Sequence, residues 1–438
     1  MLTKKIFPKI FTLLILTAVF SPTYSFELIN KSFGSTVFPK ILVYLFDFVT
    51  LLFILSSTAF FCVNRKALQL LKNFLNRNRF FIFCASIFAL LPSLSAGWSG
   101  DPEISFITGA RFFLISVAIL TVIFLTSHSF FFYRIFFLTI VFSAITQSFF
   151  AIGQFWSGGS LGFNLLGESY LGGEVLGLAR IYLGENLFLR AYGTLPHPNV
   201  LGGFQLFAFS VVLYDFLKNK KIFSSKTYPL IFFSFLPGLI LSFSRSATVG
   251  LLLMLAGTIL FVKKKNFWIK SGFGIMVSIL LIPLLFVIFA FSSRGLVDGS
   301  IWKSESVVLR AELIKANWER LVSQPIFGRG WGAGPGELSA FSDFPFYFFE
   351  KQPVHNIFVL VLADLGAIGG ILFFLILFWS LVHSFRSNRL IALTTVIFLS
   401  IGLLDHYLLT LPIGNFIFFW LVFGFLREEE PRRRKAMR

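Results

Sequence analysis

Charge is scarce in this chain. Only 13% of its residues are charged, against roughly 25% in a soluble domain. Acidic residues number 20, while hydrophobic residues make up 56% and mean hydropathy is +0.83. That balance excludes an ordinary soluble domain and leaves no room for a separate one. Cysteine is nearly absent: Cys62 and Cys84 both lie in apolar stretches, so no disulfide framework is implied. Long polar stretches are rarer still, and the one that stands out runs from Ser293 to Asn356.

What is abundant is phenylalanine, 63 of 438 residues. In a chain this apolar it serves lipid-facing packing rather than base stacking. The net charge of +18 would suggest nucleic acid in a soluble protein, but its distribution argues otherwise, and no nucleic-acid partner is expected. A bilayer core of ~30 Å needs about 20 apolar residues per helix. Candidate spans fall near 6–24, 41–63, 80–96, 106–126, 130–155, 198–217, 228–243, 246–262, 272–292, 356–380, 388–404 and 407–426. The expected fold is all-α: one integral membrane domain, residues 1–438, a bundle of about 12 transmembrane helices. Lys4, Lys5 and Lys9 before the apolar run Ile10–Phe20 also fit a signal peptide, but either reading carries the chain across once.

Cytoplasmic loops are enriched in Lys and Arg. Alternate loops, with the two ends, hold 25 of the 38 basic residues, the intervening loops hold 12, and Arg111 lies within a span. Both termini are therefore expected in the cytoplasm. Two long loops, 156–197 and 293–355, fall on the outer side, where any chemistry is expected. No internal repeat of the kind that marks many transporters is evident.

Loop 156–197 closes on Arg190-Ala-Tyr192-Gly193-Thr194-Leu-Pro196-His197-Pro198-Asn199. Prolines on both sides stiffen His197 at a helix mouth, where a dipole end favours anions; a structural histidine in a helix turn is the alternative. Ser244-Arg245 interrupts the apolar stretch from Tyr228 to Val262. An arginine near the membrane is costly unless paired or solvated, which points to function. Val307, Ala311, Ile314, Trp318 and Leu321 recur at helical spacing, so an amphipathic helix is expected on the outer membrane face, apolar side down, with Arg310 flanking the stripe. Pro325 ends it. Gly328-Arg329-Gly330-Trp-Gly332-Ala-Gly334-Pro-Gly336 has no strand before it and is no dinucleotide fingerprint. It reads as a mobile lid, or as a backbone nest for phosphate. His355-Asn356 opens span 356–380, and a histidine there can serve as a general base or merely cap the helix. Asp364 lies further along, and Asp405-His406-Tyr407 marks another outer turn. HExxH and CxxC are missing, and no Asp-x-Asp lies in an outer loop. No Ser-His-Asp arrangement stands out, so neither a metal nor a cofactor is expected.

Four motifs in order resemble one family: Arg190-Ala-Tyr-Gly-Thr-Leu-Pro-His-Pro-Asn199, Ser244-Arg245-Ser-Ala-Thr-Val-Gly250, Pro325-Ile-Phe-Gly328-Arg-Gly330, and His355-Asn356 with Leu365-Gly366. Together, over residues 100–425, they resemble the O-antigen ligase and polymerase superfamily of bacterial membrane glycosyltransferases. The resemblance implies a metal-independent, multi-helix enzyme of the GT-C type in the bacterial cytoplasmic membrane. It implies a donor glycan carried on undecaprenyl diphosphate and an acceptor that is a glycan, a lipid or a protein. On the family's pattern Arg245 and Arg310 engage the diphosphate and His355 is catalytic. Arg190, His197, Asn199, Arg329 and Asn356 are expected to bind substrate, and His197 remains a second candidate base. A flippase for lipid-linked glycan, without transferase activity, is the alternative from another class.

Overall fold

Residues 2–20, 25–30, 40–173, 175, 177–183, 185–218, 222–224, 226–261, 305–346 and 351–427 are described by a computed structural model. The expected span 272–292, the basic loop 263–271, Arg294 and the tail from residue 428 lie outside them. The described residues are mostly helical, as their apolar runs require: a backbone without water must bond to itself.

Among the described residues, six helices are long and apolar enough to cross a membrane. They are α2 (Leu45–Val63), α4 (Arg79–Leu94, continued by a 3-10 turn to Gly97), α5 (Pro102–His128), α6 (Phe130–Ser157), α7 (Pro198–Lys218) and α12 (Ile357–Ser387). Shorter apolar helices coincide with the other expected spans within the described residues: α1 (Leu2–Phe20), α8 (Thr227–Leu241), α9 (Arg245–Phe261), α13 (Arg389–Gly402) and α15 (Pro412–Phe423), the last preceded by the single turn α14 (Tyr407–Thr410). The polar helices are α3 (Arg65–Arg77), α10 (Glu305–Ser323) and α11 (Gly334–Phe341). Two small antiparallel hairpins depart from the all-α expectation: β1 (Ser25–Asn30) with β2 (Lys40–Tyr44), and β3 (Arg180–Leu183) with β4 (Asn186–Leu189).

Helix α7 is the central post and is almost wholly buried, packed by α6, α8 and α9. Where it begins, the loop 190–197 is bolted to α6 by two buried glutamines. Gln154 accepts from the Tyr192 and Gly193 amides and donates to the Gly193 carbonyl at 2.7 Å. Gln147 accepts from the Thr194 amide and donates to its hydroxyl. Gly193 has φ +62°, and a Cβ there would sit 2.0 Å from the Gln147 Oε1. Only glycine allows this approach.

The glycine-rich run is not a lid within this structure. Arg329 and Gly330 donate backbone bonds to the Ala363 and Asp364 carbonyls, and Ala367 and Ile368 donate back to Pro325 and Ile326. This exchange needs the break in α12 at Gly366, whose φ of +62° and ψ of −161° are not helical. Fully buried Arg320 then joins the pieces: Nη1 donates to Asp364 Oδ1 at 2.9 Å and Nε to Glu337 Oε2 at 3.0 Å.

Helix α10 forms where its periodicity predicted. Its packed face is Leu313, Ala316, Asn317 and Arg320, while Ile314 and Trp318 of the apolar stripe point outward and are exposed. The side chain with the most hydrogen bonds to satisfy is therefore the one placed inside.

Candidate active site

Residues distant in sequence meet at the end of the bundle that carries the 158–197 and 324–356 loops. Arg190 is held by its own backbone neighbourhood: Ala191 N donates to Leu241 O, and Arg190 Nε donates to Ser242 O at 2.9 Å. Its Nη2 donates to Asn199 Oδ1 at 2.7 Å, and Asn199 Nδ2 donates to Asp405 Oδ2 at 2.8 Å. The other Asp405 oxygen accepts the His406 amide at 2.8 Å and lies 3.9 Å from His355 Nδ1. A hydrogen-bonded line thus runs from a guanidinium, through an amide, to the carboxylate beside His355. The His355 and His406 ring centroids are 4.9 Å apart. His406 Nδ1 pairs with the Thr410 hydroxyl at 2.7 Å, and the His355 Nδ1 is buried with no hydrogen-bond partner.

The second wall is the α8–α9 turn. Phe243 takes φ +47°, a left-handed conformation costing a non-glycine residue about 1–3 kcal/mol. The Ser242 hydroxyl accepts the Ser244 amide across this turn, and Ser244 in turn caps the start of α9. Arg245 is thereby set as the first residue of α9, its side chain exposed. Arg310, from α10, supplies the third guanidinium. Its charge is felt by Arg190, His197, Arg245, His355 and His406 alike.

The electrostatics follow from burial. Arg190 is pushed down to about 10 by burial, with Arg245 and Arg310 adding to the effect against Tyr192 and Asp405; it stays charged at neutral pH. His197 is pushed down to about 4, by burial first, despite the opposing pull of Asp405. His355 and His406 are lowered by burial as well, so neutral imidazoles are favoured. Asp405 is held below the usual carboxylate range against its burial: a proton entering the cluster is drawn to His406, His355 or His197 ahead of the carboxylate, and the Asn199 hydrogen bond favours the charged form. The result is an anion-attracting rim around a carboxylate and neutral imidazoles.

An apolar groove of about 160 Å³ opens beside Arg245, between α9 and α13, lined by Val249, Gly250, Leu253, Ile397, Ile401 and Leu404 with Ser246 and Ser400. Among the described residues, His355, Asp405 and His406 also form a cluster whose ligand atoms lie within 4.8 Å of one another, the donor set of a divalent-metal site.

Of the residues expected from sequence, Arg190, His197, Asn199, Arg245, Arg310 and His355 are brought into this one electrostatic neighbourhood. Asn199 and Arg190 are already engaged there, on Asp405 and on each other. Asn356 caps α12, accepting from the Phe358 and Val359 amides, and donates to Leu403 O. Arg329 is placed elsewhere: it pairs with Glu337 at 3.0 Å and lies over the Phe341 ring, beside Arg320. Glu337 is shared by the two arginines, pairing with Arg329 through Oε1 and with Arg320 through Oε2. Asp405 and His406 were legible only as an outer turn, since nothing local in sequence ties them to His355.

Clustered arginines, a His–Asp pair and an adjoining apolar groove thus lie in one neighbourhood of a multi-pass helix bundle. Residues 230–374 match the family model described as O-antigen ligase. The match spans 145 of the 438 residues and supports a likeness to the O-antigen ligase and polymerase superfamily. No curated protein matches the chain. The matched segment holds Arg245, Arg310 and His355; Arg190 and Asn199, expected from the sequence, lie outside it, as do Asp405 and His406, which the fold adds to the site.

Proposed function

We propose that the chain transfers a glycan from a polyprenyl diphosphate to an acceptor hydroxyl, on the outer face of the bacterial cytoplasmic membrane. The observation that carries this reading is the convergence of Arg190, Arg245 and Arg310 with the His355–Asp405 pair, at the mouth of an apolar groove that starts at Arg245. The groove suits an isoprenoid tail, and the guanidinium rim suits the diphosphate at headgroup depth.

The chemistry balances without a cofactor. The acceptor oxygen attacks the anomeric carbon while the bond from that carbon to the diphosphate oxygen breaks. The electron pair leaves with the diphosphate, where Arg245 and Arg310 meet the charge that develops. Fixed donors in a water-poor site contribute most when charge is forming. The acceptor proton passes to neutral His355, and Asp405 steadies the imidazolium as it forms. Direct attack inverts the anomeric configuration.

Reconstitution with polyprenyl-diphosphate glycan and candidate lipid, glycan and protein acceptors tests the reading. Arg245→Ala and His355→Ala should abolish transfer while the protein stays in the membrane. Full transfer by both variants overturns the site assignment. Movement of lipid-linked glycan across vesicles without any product overturns the enzymatic reading in favour of a flippase.

A further inference from the structure

We propose that His355, Asp405 and His406 form a binding site for a borderline divalent transition-metal cation, with Zn2+ as the probe, and that occupancy withdraws His355 from proton transfer. The binding claim stands on the geometry by itself; the inhibitory claim rests on the transferase reading above.

Three observations carry it. First, two imidazoles and one carboxylate offer ligand atoms mutually within 4.8 Å, and a two-histidine, one-carboxylate set suits first-row divalent metals and zinc. Second, the His355 Nδ1 is buried, lies 3.9 Å from Asp405 Oδ1 and has no hydrogen-bond partner. A lone pair or proton in that position is a cost that a metal bond removes. Third, the supporting contacts that metal ligands need are already built. His406 Nδ1 is tied to Thr410, which leaves Nε2 as the ligating atom, and Asp405 Oδ2 is tied through Asn199 to Arg190. The arginine rim opposes a dication, so the site should bind more weakly than a structural zinc site.

Coordination involves no redox step: each imidazole donates a nitrogen lone pair and Asp405 an oxygen lone pair to Zn2+. A coordinated His355 nitrogen cannot take the acceptor proton.

The full-length protein, stripped of metal with a chelator and purified in detergent, is titrated with Zn2+ by calorimetry and with Co2+ by visible absorption. Wild type should bind one equivalent with a ligand-field band. His406→Asn and Asp405→Asn should weaken binding at least 10-fold and lose the band, while eluting like wild type from gel filtration. His128→Ala and His383→Ala, which remove two histidines that are not part of the site, should leave both unchanged. Equal binding by wild type and by His406→Asn overturns the site. Zn2+ should also slow transfer by wild type over the concentrations at which it binds. Binding at these residues with undiminished transfer at saturation overturns the role of His355 as base and leaves the site standing. Loss of transfer in His355→Ala without any zinc binding in wild type does the reverse.

Discussion

Asn199 and Asp405 lie 206 positions apart in sequence, yet Asn199 Nδ2 donates to Asp405 Oδ2 at 2.8 Å. Asn199 accepts from Arg190 on its other side. One amide therefore couples the 190–199 loop to the carboxylate that faces His355. Asp405→Asn should lower kcat for transfer by about 10²-fold, within the range of a supported general base. Asn199→Ala should cost less, because Asp405 keeps the His406 amide. Unchanged kcat in Asp405→Asn would remove Asp405 from the mechanism.

Arg245 and Arg310 are expected to act on the leaving diphosphate. Replacing either by alanine should reduce kcat/KM by about 10²–10³-fold, the scale of losing a positioned charge-stabilising donor. Lysine should restore little, because it lacks the planar paired donors of guanidinium. A full rescue by lysine in steady-state assays would indicate a general electrostatic role rather than shaped recognition.

The groove beside Arg245 makes a length-dependent prediction. Leu253→Trp adds bulk among Val249, Ile397 and Leu404, which line the same space. KM for a donor with a full-length polyprenyl chain should rise several-fold, with little change for a donor truncated to two or three isoprene units. Equal KM changes for both donors would mean that the tail lies elsewhere.

Acid should loosen the fold through His197. Its folded value is about 4, below the ~6.5 of an unfolded histidine, so the unfolded chain binds the proton first. The stability from keeping it neutral is complete above about pH 6.5 and is lost as pH falls toward 4. Thermal unfolding in detergent at pH 7.5 and pH 5 should show a drop in Tm for wild type, and a smaller drop for His197→Asn. Identical drops would assign the acid sensitivity to other groups.

Arg320 links α10, α11 and α12 through Asn317, Glu337 and Asp364. Arg320→Ala leaves Asp364 buried without its countercharge and should cost about 3–5 kcal/mol, read as a lower Tm and reduced yield. Removing both charges with Arg320→Met and Asp364→Leu should recover part of that loss. A single variant as stable as wild type would show that the glycine-rich loop is held by its backbone bonds alone.

Much of the frame was legible because hydropathy and helix length answer directly to the bilayer. Arg245 and His355 were legible too, since a lone arginine and a histidine at the ends of apolar stretches stand out against their surroundings. The amphipathic stripe was read correctly as a helix, but the packed face carries Arg320, because a membrane protein can send apolar side chains outward and keep polar ones in. The glycine run looked mobile because flexibility is what free glycine offers. Here Gly328 and Gly366 instead let two backbones approach and exchange hydrogen bonds.

The chain order of apolar and basic segments, by itself, determined that this protein is a multi-pass helical bundle, and it made Arg245 and His355 stand out as candidate site residues. Only the tertiary structure decided that Asp405 and His406 stand beside His355, that Arg190 is tied to Asn199, and that Arg329 is tied to Glu337. Hydropathy is a property of each segment alone. A hydrogen bond across some two hundred residues depends on how the helices pack, and no local pattern records it.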